Sequence, residues 1–260
     1  MELSTVIERI AEGLVFVDLN TRIARTSQRT KQPYLPGVKT MLEWQFVDEL
    51  MDWWTRTYPS DFNPGESRVW EAQRHYSSQK TSSGVLVSKD ACDLILVTGS
   101  STFTKPEWAI EIKHIALAGD NGKTNDYPIP KLLSPYKKDR SLMHDIDKLF
   151  GSAIAHKKAV VGYCFNYDMN TLLEAENRFP AEAKRGGRIS NLKAVCRSVD
   201  PVRLEYSSSE IVEFTDRIFM AEKRTSPVVR RGFSGAWRHP IGGNGEVFGW
   251  QIVSVESELD

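Results

Sequence analysis

Between Cys92 and Ile115 the chain reads CDLILVTGSSTFTKPEWAIEIKHI, with Asp93 at the head of one apolar run and Glu111 and Lys113 two residues apart in the next. On a strand, alternate side chains share a face, so Glu111 and Lys113 would point one way while Ile110 and Ile112 pack on the other. If the two runs pair antiparallel, Asp93 comes alongside Glu111, and the stretch between them is long enough for the turn. Two carboxylates that close raise each other's pKa. A hard divalent cation relieves the conflict, because Mg²⁺ takes carboxylate oxygens, keeps several waters and accepts a substrate phosphate oxygen. At such a centre the cation polarises a phosphodiester and activates water. A lysine on the same face steadies charge developing at phosphorus or orients the water. Asp93 and Glu111 are therefore candidate catalytic metal ligands and Lys113 the candidate catalytic cation. The carbonyl of Ile112 offers a further metal ligand, and Mg²⁺ or Mn²⁺ is the expected cofactor.

The surrounding sequence predicts the elements that hold these residues. Leu42, Phe46, Leu50 and Trp53 recur at helical spacing, widened by Val47 and Trp54, and predict a helix over 41–54. Strands are expected at 68–76, 84–88, 92–97 and within 107–117, followed by a long loop, a helix within 139–156 and a buried strand at 158–165. Asp168 or Asn170 can cap a helix running through Arg178. LKAVCRS (192–198) reads as a strand, and Ser207 and Glu210 as a capping box. At the N-terminus, 3–12 reads as a short helix, LVFVDL (14–19) as a strand, and the proline-broken 21–40 as an extended arm. Residues 227–255 read as β-structure around GGNG. Helices interleaved with strands imply an α/β fold, a central mixed β-sheet flanked by helices.

Asp93, Glu111, Ile112 and Lys113, with a helix before them and a helix–strand pair after, resemble the PD-(D/E)XK nucleases of the restriction-endonuclease-like fold. The resemblance covers roughly residues 40–165. Ala91 and Cys92 precede Asp93 where the family name has proline, which leaves the carboxylate itself in place. The resemblance implies an α-β-β-β-α-β core. The expected layout is a single nuclease domain over 1–260, with the core at about 40–200, an N-terminal arm at 1–39 and a β-rich C-terminal extension at 201–260. It implies Mg²⁺-dependent phosphodiester hydrolysis, in the first place by a DNA endonuclease of restriction or defence type acting on double-stranded DNA, and it is compatible with a homodimer. It also implies a catalytic glutamate on the first helix, Glu43 in preference to Glu49. The competing expectation is a non-catalytic nucleic-acid-binding or scaffolding module of the same fold.

Charge bears on the partner. The 260 residues carry 34 basic and 34 acidic side chains, so no overall basic excess favours a polyanion. Distribution matters more. The stretch from Leu19 to Leu42 holds no acid but contains Arg22, Arg25, Arg29, Lys31 and Lys39, and a second basic stretch includes Arg230 and Arg231. These seven are the candidate nucleic-acid contacts. Phe233, Trp237, Phe248 and Trp250 lie among the C-terminal arginines, where they could stack bases but read better as a covering β-layer. No apolar run approaches the roughly 20 residues that span a bilayer, and with acids among the first residues and no apolar signal core a secretory peptide is not expected. Cys92, Cys164 and Cys196 make no C-x-x-C pair, so reduced thiols in a cytoplasmic protein are expected. The pair His144–Asp145 lacks the companion ligands of a metal phosphohydrolase. GGNG lacks the spacing and lysine of a phosphate-binding loop.

Overall fold

The computed structural model describes residues 1–27, 31–63, 69–75, 79–81, 84–86, 91–98, 105–123, 128–134, 136, 140–196, 208–222 and 224–253. In chain order the elements are α1 (Leu3–Asn20), α2 (Glu43–Thr57), β1 (Trp70–His75), β2 (Gln79–Thr81), β3 (Gly84–Leu86), β4 (Ala91–Leu96), β5 (Trp108–His114), α3 (Pro128–Leu133), α4 (Leu142–Phe150), β6 (Lys157–Phe165), α5 (Met169–Arg178), α6 (Arg188–Cys196), α7 (Ser208–Ala221), β7 (Val229–Ala236) and β8 (Gly243–Gln251). The fold is α/β: six strands form a mixed sheet in the order β1-β4-β5-β6-β8-β7, and helices flank it. Within this sheet β5 and β6 run parallel, and the other neighbours are antiparallel. The short pair β2–β3 stands apart as a two-stranded ladder.

The N-terminus differs from the sequence reading. LVFVDL is not a strand, because Ile7, Ile10, Leu14 and Val17 continue one buried stripe at steps of three and four through a single helix, α1. Gly13 suggests a break there, but it marks a close approach. A Cβ at Gly13 would lie 2.3 Å from Leu50 Cδ1 and 2.7 Å from the Trp53 ring, both on α2. The expected arm therefore begins with a core helix that packs on α2, β7 and β8. Beyond it the basic segment folds back on itself, with Thr26 bridged to Pro33 and the Tyr34 N–H donating to Arg25 O at 2.7 Å.

The C-terminal β-structure is not a separate covering layer, because β8 pairs with β6 along seven positions and extends the central sheet. Its aromatics fill the interior: Phe248 and Trp250 have no exposed surface, and Phe219 of α7 meets the Trp250 ring edge-on. LKAVCRS is helical over its described part (α6), with Ile189 and Leu192 turned inward. Leucine, lysine and alanine there favour a helix, and Lys193 ties α6 to Glu176 of α5 at 2.6 Å. The α5 cap is Asp168, which accepts from the Thr171 N–H at 2.8 Å. Ser207 of the expected capping box lies outside the described residues.

Two helices on opposite faces of the sheet frame the β5 side chains. Phe46 of α2 packs against Tyr163 of β6, with ring centres 5.1 Å apart, and Tyr163 stacks on His114 of β5. α4 covers the other face, where Asp145 and Lys148 reach side chains of β5. Each Leu, Ile or Phe fully buried by these helices contributes roughly 1.5–3 kcal/mol.

Candidate active site

The strand register explains how the candidate residues meet. Leu94 stands opposite Ile110 and Ile95 opposite Ala109, so one step further Asp93 stands across from Glu111. Asp93 Oδ2 accepts the Ile112 N–H at 2.9 Å, which fixes the carboxylate between Glu111 and Lys113. Its other oxygen, Oδ1, accepts from Gln73 Nε2 at 3.0 Å. Gln73 sits on β1 with φ of 53°, a left-handed conformation that is unusual for a non-glycine residue. Backbone strain of this kind concentrates at functional sites.

Glu43 is the first residue of α2, where the helix dipole favours an acid. The helix starts there because the Gln45 side chain accepts the Leu42 N–H at 3.1 Å. From this end Glu43 reaches the C-terminal end of β5. Oε1 accepts the His114 N–H at 3.2 Å, and Oε2 lies 3.7 Å from Lys113 Nζ. Glu49 points elsewhere, lining an open groove of about 340 Å³ with Asp48 and Asp52. The helix carboxylate at the site is therefore Glu43.

Two further residues join from α4. Asp145 Oδ2 lies 3.3 Å from Lys113 Nζ, and Asp145 Oδ1 lies 2.7 Å from Lys148 Nζ, which also reaches Glu111 Oε1 at 3.1 Å. Glu111 and Asp145 are each 2% exposed and Lys113 6%. Burial pulls the Lys113 ammonium down, but Asp145, Glu43, Asp93 and Glu111 outweigh it and hold it above the ordinary lysine value. Lys148 is held up against burial in the same way by Glu111 and Asp145. In the sequence, Asp145 is masked by His144 beside it, which suggests a different kind of site, and Lys148 carries no signal. Their spacing of three could mark both, because it puts them on one side of the α4 stripe formed by Leu142, Ile146 and Leu149.

The site is a set of hard oxygen donors paired with ammonium groups. Four carboxylates (Glu43, Asp93, Glu111, Asp145) face two ammonium groups (Lys113, Lys148), and the buried Asp145 Oδ2 accepts no hydrogen bond among the described residues. As arranged, lysines rather than shared space join these carboxylates. No three His, Cys, Asp or Glu side chains among the described residues are gathered to hold a metal.

The basic candidates divide. Arg22, Arg25 and Lys31 are exposed, and Arg231 is exposed with Glu8 at 3.3 Å. Arg230 is engaged with both carboxylate oxygens of Glu246, at 2.7 and 2.8 Å. The expectation for Lys39 is corrected: it is only 6% exposed and donates to Ala118 O at 2.9 Å and to the Tyr167 hydroxyl at 2.7 Å, so its ammonium does not face a polyanion. Arg29 lies outside the described residues. None of the three cysteines forms a disulfide among the described residues. No described helix is long and apolar enough to cross a membrane. Comparison with protein-family models, with curated proteins and with solved structures finds no match.

Proposed function

We propose that this chain is a metal-dependent nuclease of the PD-(D/E)XK class, hydrolysing phosphodiester bonds in double-stranded DNA as a restriction- or defence-type endonuclease. The observation that carries the reading is the bond from Ile112 N to Asp93 Oδ2, which brings the Asp93 carboxylate to the Glu111–Lys113 strand where Glu43 also arrives. Asp93 and Glu111, with the Ile112 carbonyl, would hold Mg²⁺ or Mn²⁺. The bound cation supplies Lewis-acid polarisation of the phosphate and a water of lowered pKa. Lys113, charged throughout the physiological range, steadies the developing phosphorane charge. Glu43 positions Lys113 through its Oε2 and fixes the strand end through its Oε1. Exposed Arg22, Arg25, Lys31 and Arg231 are the groups available to phosphates outside the centre. A cytoplasmic homodimer, one active site per DNA strand, is the assembly that suits this activity.

The competing reading, a non-catalytic module of the same fold, gains from the lysine–carboxylate pairs that already neutralise Glu111 and Asp145. Plasmid DNA incubated with Mg²⁺ or Mn²⁺, with and without chelator, separates the two. Nicking that needs metal and falls at least 100-fold in Glu111→Ala and Lys113→Ala supports the enzyme. DNA left intact by the wild type across metals and substrates, with binding retained, leaves only the module.

A further inference from the structure

The Asp93 carboxylate is held from both sides. Oδ2 accepts the Ile112 N–H of β5 at 2.9 Å, and Oδ1 accepts from Gln73 Nε2 of β1 at 3.0 Å. β1 is the edge strand of the sheet, and its register on β4, with Ala72 opposite Leu94 and Arg74 opposite Cys92, sets Gln73 across from Asp93. At that step the backbone of β1 turns to φ 53°. Glycine adopts this conformation freely and asparagine tolerates it, whereas glutamine gains nothing from it. The backbone therefore gives no reason for a glutamine at this position. The side chain does, because it delivers an N–H donor to a carboxylate of the site. An aspartate carboxylate turns easily about its terminal torsion. One donor on each oxygen stops that turn, so the place of Asp93 beside Glu111 and Lys113 is set before a substrate arrives.

We infer that Gln73 is a positioning residue of the proposed active site: its amide, aimed by a strained step of the edge strand, orients the Asp93 carboxylate against β5. The role rests on Asp93 being a working carboxylate, as proposed above. Gln73 acts through Asp93 and through the amide donor in particular. Glutamate has the same length but, ionised, offers no donor, so Gln73→Glu removes the bond and keeps the shape. Gln73→Gly removes the side chain and relaxes the backbone.

The Ile112 amide reports the position of Asp93 with no metal and no nucleic acid present. Its ¹H–¹⁵N resonance and its hydrogen exchange are followed in wild type, Gln73→Gly, Gln73→Glu and Asp93→Ala, the last marking the signal without the carboxylate. Gln73→Gly should melt no lower than wild type, yet move the Ile112 resonance toward its place in Asp93→Ala and speed exchange there at least about threefold. Gln73→Glu should move both further, because it sets a second carboxylate against Asp93. In metal-dependent plasmid nicking both variants should lose kcat at least about tenfold with KM for DNA unchanged. An Ile112 signal that keeps its wild-type place in both Gln73 variants, while Asp93→Ala shifts it, overturns the role of Gln73, as does a change in KM alone. Ile112 shifts as expected in a protein whose wild type nicks no DNA with any metal keep Gln73 as the residue that places Asp93 and overturn the nuclease reading.

Discussion

Lys39 offers a stability measurement whose size can be worked out from its surroundings. Its ammonium is buried against the loops after β5 and β6, where Ala118 O and the Tyr167 hydroxyl accept from it and Tyr167 in turn donates to Ile241 O at 3.1 Å. Burial, offset in part by Asp120, lowers its pKa to about 7 from 10.5. A base with a depressed folded pKa binds its proton better when the chain is unfolded. Stability therefore rises with pH between about 7 and 10.5 and is flat with respect to Lys39 below 7. At 1.36 kcal/mol per unit, moving from pH 6 to pH 9 should add on the order of 2–3 kcal/mol through this one residue. Lys39→Met removes the titration and leaves Ala118 O and the Tyr167 hydroxyl short of a donor, a cost of about 1–3 kcal/mol that does not depend on pH. Urea unfolding of both proteins at pH 6, 7, 8 and 9 reads the effect, since groups that do not feel Lys39 cancel in the difference and those that do are His114, Asp120 and His239. The variant should stand best relative to wild type at pH 6 and lose about 2–3 kcal/mol of that standing by pH 9. Parallel pH profiles would refute the argument.

Gly162 of β6 is paired in register with Lys113, and a Cβ there would lie 2.4 Å from the Phe248 ring, so Gly162→Ala should cost about 1–3 kcal/mol in a thermal melt. Reversing Arg22, Arg25 and Lys31 together to glutamate should flatten the dependence of DNA affinity on salt, by roughly one unit of logarithmic slope for each phosphate no longer neutralised. Arg230→Ala, which breaks the paired hydrogen bonds to Glu246, should lower stability and leave that slope unchanged.

What the sequence reveals depends on how local each pattern is. Asp93, Glu111 and Lys113 are legible because strand alternation needs only neighbouring residues, and the observed register of β4 on β5 keeps all three on one face. The α2 stripe is legible for the same reason, and the structure places Phe46, Val47, Leu50, Trp53 and Trp54 inside. Asp145 and Lys148 are not, since they lie beside the Leu142–Ile146–Leu149 stripe and only the packing of α4 on the sheet decides what that border meets. LVFVDL misleads because β-branched and aromatic residues favour strands in isolation, whereas Leu14 and Val17 complete a buried helical stripe whose partner helix, α2, lies well along the chain. The strands of the tail are legible as strands. Their place in the sheet, with β8 beside β6, is a long-range pairing that no local signal carries.

Lys39 and Lys113 show why residue type alone does not sort the lysines. Both are 6% exposed and both are penalised by burial. Lys113 has four carboxylates around it and is held above its ordinary pKa, whereas among the described residues Lys39 has Asp120 alone to offset burial, itself shared with His239 and Arg188, and falls to about 7. A permanent cation among carboxylates can stabilise a phosphorane, and a lysine sealed among neutral acceptors cannot reach one. In the sequence, Lys39 belongs to the most basic stretch and Lys113 to an acidic neighbourhood, so charge density points to a lysine held by neutral acceptors and strand alternation to one that lies among carboxylates. For a centre of this kind, the informative quantity is which charges share a sheet face, and that is set by register before it is visible in composition.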